Sequence, residues 1–561
     1  MSAKVLKIDM GLKRLQALIE KAYQDGDYLS ALRFSFREID EYGEDIETYY
    51  RIADVYENYG LQTYAIKWLF RALHICEEQD LPEVYEGLAV NYLNMGNEGA
   101  SAYYYNQLID VDDTLTAENK MEIAQAFAKE KKSPFKFVYP PQLTDFSEEL
   151  DEGSAALKEG DCKRAIKALS KVSKGKDYLE ARRMLALAYL LDGNAPQAER
   201  VCLEILKESP SDIQAKSTLA AVCLEKGDKE ASMRIAQELC EAQTTSTEEL
   251  YKIATVCCEN GLHKEAYEKF SKMEEKTPCD GRMLYFKAVA AAKSGRLKEA
   301  EATLYRFCSL YPDAEVGKYY LREVRKMLDG GEDTTEDFTY FYRIPQAARE
   351  LACHSLVSLG KLPREEACFL GAAESIVSDL RWCFDEMDGM DEDLQYIALV
   401  VAEHTCSDEF LQDILLDFEV ADYLKIETLR LLYERNEDGV WGLVLCNVYH
   451  KLHIYSIKVG KRRRKKYLAA YAMIASKFAI MTDSHAKRLK QAAELLYVCV
   501  DFSQTYELLT KENDIACAIY LMAGLNDLGF DEQKIIAALR ANPENVDALI
   551  DCYRDVKDRE M

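Results

Sequence analysis

One segment of this sequence holds a small cluster of histidine and cysteine residues. Cys446, His450 and His453 lie close together in the chain, and thiolate and imidazole groups are preferred ligands of Zn²⁺. On a helix, spacings of four and three would place all three on one face, whereas on a strand His453 points away from Cys446 and His450. The surrounding Val, Ile and Tyr residues favour a strand, so we expect no metal site here.

A second segment concentrates positive charge. A basic run of this kind can bind nucleic acid, an acidic protein or an acidic part of the same chain, or it can be a solvated loop that begins a helix. No aromatic residues or glycines alternate with the arginines, and the chain as a whole is acidic, so nucleic acid is disfavoured. The candidate basic patch comprises Lys461, Arg462, Arg463, Arg464, Lys465 and Lys466.

The sequence contains no recognisable catalytic or nucleotide-binding motif. We find no GxxxxGK[ST], no GxGxxG after a strand, no GxSxG and no HExxH, and the chain has only 7 histidines in 561 residues. The 98 acidic residues include no pair that stands out as a general acid and base. We therefore predict no catalytic residue, no bound metal and no cofactor, and a function in binding rather than catalysis.

The overall charge restricts the class of partner. A formal net charge of −27 disfavours non-specific binding to nucleic acid or anionic membrane and favours basic partners. No apolar run reaches the roughly 18 residues of a membrane span, and the N-terminus lacks the apolar core of a signal peptide. We expect a cytoplasmic protein, in which the 17 cysteines act as small, unpaired, buried residues.

A repeating pattern of glycines indicates the secondary structure that positions these candidate side chains. Five glycines lie 33, 34, 34 and 34 residues apart, and each is followed five residues later by Ala or Ser. A small residue also precedes each of them by seven positions. The glycines are Gly160, Gly193, Gly227, Gly261 and Gly295. A second set near the N-terminus, with separations of 34 and 36, comprises Gly26, Gly60 and Gly96.

This pattern resembles the tetratricopeptide repeat (TPR) family over about residues 10–328. The resemblance implies units of two antiparallel helices joined by a tight turn, in which small residues allow close helix approach. One unit cannot bury its apolar face alone, so neighbouring units must stack into a solenoid. The expected fold class is therefore all-α, a TPR-type helical-repeat solenoid.

Changes in composition divide the chain into five parts. Residues 131–146 carry three prolines and alternating aromatics, and an acidic, glycine-containing segment follows the second set of repeats. The predicted divisions are an N-terminal array at 1–131 (about three repeats plus a capping helix near 116–131), a linker at 132–147, a five-repeat array with an end helix at 148–328, an acidic linker at 329–340, and a helical C-terminal domain at 341–561.

The C-terminal domain resembles no family that we recognise. Apolar residues at three- and four-residue spacing indicate helices in most of it. The segment VWGLVLCNVYHKLHIYSIKVG is rich in Val, Ile and Tyr and is bounded by glycine. This composition predicts one small β-hairpin.

In the TPR family, the first helices of the repeats line a concave groove. Residues 1–130 contain 24 acidic and 12 basic residues, so a basic partner is expected for the N-terminal groove. Its predicted partner-binding residues are Glu20, Tyr23, Glu47, Tyr50, Asp54, Glu57, Glu83 and Glu86.

The groove of the second array is unusually apolar, which predicts an apolar or amphipathic partner segment. Its predicted partner-binding residues are Arg183, Leu187, Leu190, Leu224, Tyr251 and Tyr285. The family's carboxylate clamp needs Asn six residues before the turn glycine, and those positions hold Ser, Leu, Ala, Thr and Val. Capture of a peptide C-terminus by this clamp is therefore not expected.

These features together predict a non-catalytic protein–protein interaction scaffold or adaptor. One alternative is a peptide-responsive regulator, which would need a DNA-binding element that we do not find at the N-terminus. Another is an unrecognised enzyme within the C-terminal domain, which a polar pocket with perturbed carboxylates would support.

Overall fold

The computed structural model describes residues 10–112, 114–116, 119–121, 123, 146–173, 177–371, 373–385, 392–461, 463–478, 482–525 and 528–560. Among these residues helices predominate, and they are accompanied by one two-stranded sheet. The predicted fold class is confirmed. The chain forms two compact units: unit 1 is Met1–Phe127 together with Gln346–Met561, and unit 2 is Ala128–Pro345. The finer domain boundaries stay predictions, and most of the 132–147 linker and the capping helix lie outside the described residues.

Unit 1 begins with three pairs of antiparallel helices. The glycines at 26, 60 and 96 follow the first helix of each pair, with φ of 73°, 72° and 78°. The residue after the glycine can cap the next helix, as Asp27 does by accepting from the backbone N–H of Ser30. The helices are α1 (Met10–Gln24), α2 (Tyr28–Tyr42), α3 (Ile46–Asn58), α4 (Gln62–Ile75), α5 (Leu81–Asn94) and α6 (Glu98–Val111).

Unit 2 contains the five predicted helix pairs and the predicted end helix. All five turn glycines have φ between 73° and 81° and lie just after a helix end, as expected. The helices are α7 (Ser147–Lys158), α8 (Cys162–Leu169), α9 (Tyr178–Leu191), α10 (Ala195–Glu208), α11 (Ile213–Glu225), α12 (Lys229–Glu241), α13 (Thr247–Glu259), α14 (His263–Glu274), α15 (Gly281–Lys293), α16 (Leu297–Leu310) and α17 (Glu315–Leu328).

The small residues of the repeat allow its two helices to pack closely. Ala186 in α9 is fully buried in a cluster with Val201, Cys202 and Ile205 of α10, and Ala215 of the next repeat joins the same cluster. A larger side chain at position 186 would force the helices apart. The core of unit 2 is therefore continuous from one repeat to the next.

The remainder of unit 1 is helical on both sides of the hairpin. Before it lie α18 (Gln346–Leu359), α19 (Arg364–Gly371), α20 (Glu374–Asp385), α21 (Glu392–His404), α22 (Asp408–Leu416) and α23 (Asp422–Arg435). After it lie α24 (Arg464–Lys477), α25 (Asp483–Ser503), α26 (Glu512–Ala523), α27 (Glu532–Leu539) and α28 (Pro543–Glu560).

The predicted hairpin is present, and it packs on the third N-terminal repeat. Strands β1 (Gly439–Leu445) and β2 (Val448–Ile454) are antiparallel. The connecting residues Cys446 and Asn447 have φ of 50° and 64°, as a two-residue type I′ turn requires. The hydroxyl of Tyr104 on α6 donates to the backbone oxygen of Asn447 at 2.9 Å. The turn of the hairpin therefore packs against both helices of the third repeat through Tyr92 and Tyr104.

Ion pairs join the second N-terminal repeat to α22 and the segment after it. Lys67 on α4 lies 3.0 Å from Asp417 and 2.7 Å from Glu419. One turn further along α4, Arg71 pairs with Asp413 at 2.9 Å. These partly buried pairs fix the orientation of α4 against the C-terminal part of unit 1.

The cysteines are not all unpaired, contrary to the expectation from sequence. Cys368 in α19 and Cys406, two residues after α21, form a disulfide across a separation of 38 residues. Their proximity depends on how α19 packs beside α21, which spacing alone does not reveal.

None of the described helices is long and apolar enough to cross a membrane.

Replacement of a turn glycine tests the repeat assignment. Gly193 has φ of 75°, and a Cβ added there would meet no atom within 4 Å, so the cost of a side chain is conformational. Gly193→Val should lower the free energy of unfolding by about 1 kcal/mol or more, because β-branched residues resist positive φ. Gly193→Asn is the control, since Asn tolerates this region, and it should cost less. Equal urea-unfolding midpoints for both variants and the wild type would contradict the assignment.

Candidate functional site: two concave grooves

The first helices of the three N-terminal repeats carry a row of carboxylates in unit 1. We call this row the acidic strip; it comprises Glu20, Glu47, Asp54, Glu57, Glu83 and Glu86. Glu57 is half-buried and accepts a hydrogen bond from the Asn91 side chain at 3.2 Å, whereas the other five are exposed. Helices α1, α3 and α5 each contribute at least one member.

The carboxylates of the strip are close enough to affect each other's ionisation. Partial removal from water raises the pKa of Glu83, and the negative charges of four carboxylates raise it further: Glu47, Asp54, Asp80 and Glu86. Desolvation, followed by the charge of Glu57, likewise raises the pKa of Asp54. None of the six strip carboxylates forms an ion pair with a described residue. The strip members on α3 and α5 therefore form one contiguous group of like charges without an internal counter-charge.

The two tyrosines assigned to this groove differ in accessibility. Tyr23 is half-buried, and its hydroxyl accepts from the Asn58 side chain at 3.4 Å. Tyr50 is only 8% exposed, and its hydroxyl donates to the backbone oxygen of Asp80 at 3.1 Å. Tyr50 is therefore a packing residue between α3 and the start of α5, and it offers no open ring face to a cation.

Residues assigned to the first part of the second groove are partly open. Leu187 is 40% exposed, and Leu224 and Tyr251 are half-buried. Arg183 makes an ion pair with Asp212 at 2.6 Å, so its charge is used within unit 2. Leu190 packs against a buried cluster of Ala195, Ala198 and Val222. This contact places Leu190 between helices rather than on the open groove surface.

The last part of the second groove is covered by the chain itself. Tyr285 on α15 is 0% exposed, because residues 338–344 lie over it. The Tyr285 hydroxyl donates to the backbone oxygens of Thr339 and Phe341 at 2.9 and 3.1 Å. We call residues 338–344 the strap. Tyr285 therefore binds a segment of this chain, and an external segment would compete for the same place.

Two parts of the chain match models of the tetratricopeptide repeat, residues 156–222 and residues 264–315. These matches coincide with the helix pairs and turn glycines of unit 2. These two parts of the chain are tetratricopeptide repeats. No family model matches the C-terminal third, and comparison with curated protein sequences gave no significant match.

Solved structures of other proteins show a weaker likeness to this chain. The MamA protein is 21% identical, with 30% of this chain and 92% of that chain covered and a TM-score of 0.23. Yeast Tom70 is 13% identical, with coverage of 75% and 94% and a TM-score of 0.26. The TPR2AB domain of yeast Sti1, solved as a pHSP90 complex, is 16% identical, with coverage of 56% and 96% and a TM-score of 0.19. The TPR assignment rests on the family matches and the observed repeats.

The basic patch surrounds the start of α24. Arg462 lies outside the described residues, and Lys461, Arg463, Arg464 and Lys465 are exposed. The half-buried Lys466 donates to the backbone oxygens of Leu509 and Thr510, and the Arg463 guanidinium lies over the Tyr506 ring at 5.4 Å. None of the described basic residues in the patch forms an ion pair with another described residue. The patch is a small cationic surface on an acidic protein.

The histidine and cysteine cluster is not brought together. Cys446 lies in the hairpin turn, where its backbone N–H donates to the Asp422 carboxylate at 3.2 Å. Strand β2 places His450 and His453 on opposite faces. Among the described residues, no group of three or more metal-ligating side chains is present.

A pH-dependent stability effect follows from the crowding of the acidic strip. A carboxyl group whose folded pKa is raised destabilises the folded state when charged, and this penalty disappears as the pH falls below that pKa. Glu83→Gln should therefore increase the free energy of unfolding at neutral pH by no more than about 0.5 kcal/mol. The thermal unfolding midpoint should rise correspondingly.

The difference between Glu83→Gln and the wild type should shrink as the pH is lowered through the raised pKa of Glu83. Thermal unfolding measured between neutral and acidic pH checks this dependence. A difference that is independent of pH, or that grows toward acidic pH, would show that charge repulsion is not its cause.

The hydroxyl of Tyr285 should hold the strap in place. Tyr285→Phe removes its hydrogen bonds to two strap carbonyls, so we expect faster amide hydrogen exchange in residues 338–344 and a loss of about 1 kcal/mol of local stability. Tyr189→Phe is a matched control, since the Tyr189 hydroxyl makes no hydrogen bond with a described residue. Unchanged strap exchange in Tyr285→Phe would contradict the assigned role.

Proposed function

We propose that this TPR protein is a non-catalytic cytoplasmic scaffold or adaptor that binds segments of other proteins in its grooves. Its N-terminal groove takes a basic segment, and its second groove takes an apolar or amphipathic one. TPR repeats support a role in protein interaction, and the acidic strip supports the choice of a basic partner.

The observation that carries the proposal is a row of like charges without counter-charges. Other acidic side chains in the same repeats are neutralised: Glu38 pairs with Arg51, and Glu41 pairs with Arg37. The strip carboxylates, by contrast, have no counter-charge among the described residues, and, after desolvation, repulsion by neighbouring carboxylates raises the pKa of Asp54 and Glu83. A bound Lys- or Arg-rich segment would relieve this repulsion, which makes its binding favourable at low and moderate salt.

The shape of the strip favours a linear segment. Its members come from the first helices of three successive repeats, so they follow one line across α1, α3 and α5. Tyr23 lies on the same line, beside Asp54, whose charge contributes to the raised pKa of Tyr23 after desolvation. A Lys or Arg side chain over the Tyr23 ring would add roughly 0.5 to 1 kcal/mol of cation–π interaction.

For the second groove, the open leucines support an apolar partner. Leu187 and Leu224 leave apolar surface accessible on α9 and α11, and contiguous apolar surface of this kind marks binding sites on soluble proteins. The Arg183–Asp212 ion pair is at the same end of the groove. A segment with one apolar face would bury the leucines and leave this pair solvated.

A charge-reversal experiment tests the basic-partner proposal. Glu47→Lys/Asp54→Lys/Glu86→Lys changes three exposed members of the strip. We expect it to weaken binding of a labelled peptide with the sequence of residues 460–468, GKRRRKKYL, by at least about tenfold, or about 1.4 kcal/mol. Fluorescence anisotropy at low and moderate salt measures the affinity, and a pull-down from the native host reports whether the set of bound partners changes.

The control separates local charge from net charge. Asp40→Lys/Glu78→Lys/Asp110→Lys makes the same change in net charge at exposed acidic residues outside the strip. It should reduce affinity much less, because exposed charges beyond about 10 Å are largely screened at 0.1 M salt. If both triple variants lose peptide affinity equally, the strip is only a solvated surface. The same conclusion follows if neither variant loses peptide affinity or bound partners.

A further inference from the structure

Alternate large side chains of the strap are buried. Phe338, Tyr342 and Ile344 are buried, and Tyr340 is half-buried. Between them, Thr339 is half-buried, Arg343 is exposed and Phe341 is 57% exposed. The backbone bends at residues 340–343, where the Arg343 N–H donates to the backbone oxygen of Phe341 at 2.8 Å. The strap therefore presents four large side chains to the repeats along a bent path.

Tyrosines of the repeats recognise the backbone of the strap. The Tyr285 hydroxyl reaches two strap carbonyl oxygens, and the Tyr320 hydroxyl on α17 donates to the backbone oxygen of Arg343 at 2.9 Å. Lys293 at the end of α15 also donates to the backbone oxygen of Thr335 at 3.2 Å, just before the strap. Contacts to main-chain oxygens do not depend on the side chains of the bound segment, so another segment that follows the same backbone path can make them.

The inward side chains occupy aromatic pockets. The Phe338 ring lies 4.6 Å from Tyr320, and the Tyr342 ring lies 4.9 Å from Tyr285 and 6.1 Å from Phe307 on α16. These edge and tilted contacts favour aromatic side chains over aliphatic ones of similar size. The pockets therefore select for ring-bearing residues at alternate positions.

One pocket also recognises a hydroxyl group. The Tyr340 ring lies against His263 and Phe286 at 5.9 and 6.1 Å between ring centroids. Its hydroxyl is 2.9 Å from Nδ1 of His263. Phenylalanine at this place would leave the histidine nitrogen without that partner, so the pocket favours tyrosine.

We propose that the groove over α13–α17 is a binding site for bent, non-helical segments with aromatic residues at alternate positions, and that the strap is its intramolecular competitor. The expected partner segment carries an aromatic residue, then tyrosine, then an aromatic residue, each separated by one residue. This inference rests on the proposed function, because it takes the second groove as a binding site for a partner. It adds the sequence pattern of the partner segment and identifies the strap as the segment that keeps the partner out of the groove.

The segment before the strap allows exchange. Residues 329–333 are exposed and include Gly330 and Gly331, so few packing contacts resist movement of this segment. A tethered segment competes at an effective concentration on the order of millimolar. A partner peptide must therefore bind more tightly than a free copy of the strap, or the strap must be weakened.

The test uses the full chain and a synthetic peptide of residues 335–346, TEDFTYFYRIPQ, with a fluorescent label. Phe338→Ala/Tyr340→Ala/Tyr342→Ala removes three inward side chains of the strap and should expose the groove. We expect this variant to bind the peptide at least tenfold more tightly than the wild type by fluorescence anisotropy. Phe341→Ala/Arg343→Ala, which changes outward residues, should behave like the wild type.

Changes in the peptide test the predicted pattern. A peptide with the same three inward residues changed to Ala should not bind the open variant, and a peptide with only the residue at position 341 changed to Ala should bind normally. If the original peptide binds no better to the open variant than to the wild type, or if all three peptides bind alike, the proposal is overturned.

A second variant protects the test against misfolding. Tyr340→Ala changes one half-buried residue and should give an affinity between those of the wild type and the triple variant. If both strap variants lose helical circular dichroism, the strap is a fixed part of the core and the proposal fails.

The acidic-strip variant distinguishes this proposal from the function proposed for unit 1. The strap peptide carries Glu336 and Asp337 against Arg343, so it has no excess of positive charge for the strip to attract. Adding Glu47→Lys/Asp54→Lys/Glu86→Lys to the open variant should leave its affinity for the strap peptide unchanged. A loss of affinity would show that the peptide binds the strip instead and would overturn the groove assignment.

Discussion

A pair of antiparallel helices can bury one apolar face within the pair, but its outer faces need neighbours. This requirement governs both units, because every repeat here is too small to have a core of its own. In the middle of unit 2, the next repeat buries the outer apolar face of a helix pair. For example, Ala215 of α11 joins the core of the preceding pair. At the ends of an array, the cover must come from something that is not a repeat.

Each unit meets that requirement with a different element. In unit 1, the β-hairpin places Asn447 against Tyr92 and Tyr104 of the third repeat. In unit 2, α17 closes the stack of helices, and the strap then lies across Tyr285 and Tyr320. Because the strap binds through main-chain oxygens and alternate aromatic side chains, its contacts are those of a ligand as well as those of a cap.

The electrostatic contrast between the grooves follows from the same architecture. First helices of successive repeats lie side by side, so carboxylates at matching positions come together whether or not counter-charges are nearby. In unit 1, desolvation raises the pKa of Asp54 and Glu83, and the neighbouring carboxylates raise it further. In unit 2 the matching positions hold mainly apolar and aromatic residues, and Arg183 is neutralised by Asp212. The first helices of the two arrays thereby carry different side-chain chemistry.

The sequence by itself determined the repeats, the turn glycines and the hairpin. These are local features: the regular spacing indicates a repeated helix pair, and a Val-, Ile- and Tyr-rich segment bounded by glycine indicates a strand pair. The sequence also placed the acidic residues on first helices, since helical position follows directly from the distance to the turn. Even the strap had a local signal, the alternation of Phe338, Tyr340, Tyr342 and Ile344 in a non-helical segment, although its location did not follow from it.

Only the tertiary structure decided which surfaces are open and which are covered. Tyr50 and Tyr285 occupy groove positions by their distance from the turn, yet one is buried beside Asp80 and the other lies beneath the strap. The pairing of Cys368 with Cys406 likewise depends on helices that are distant in sequence. Accessibility and such pairings result from contacts between distant segments, and the helical period carries information only about neighbours along the chain.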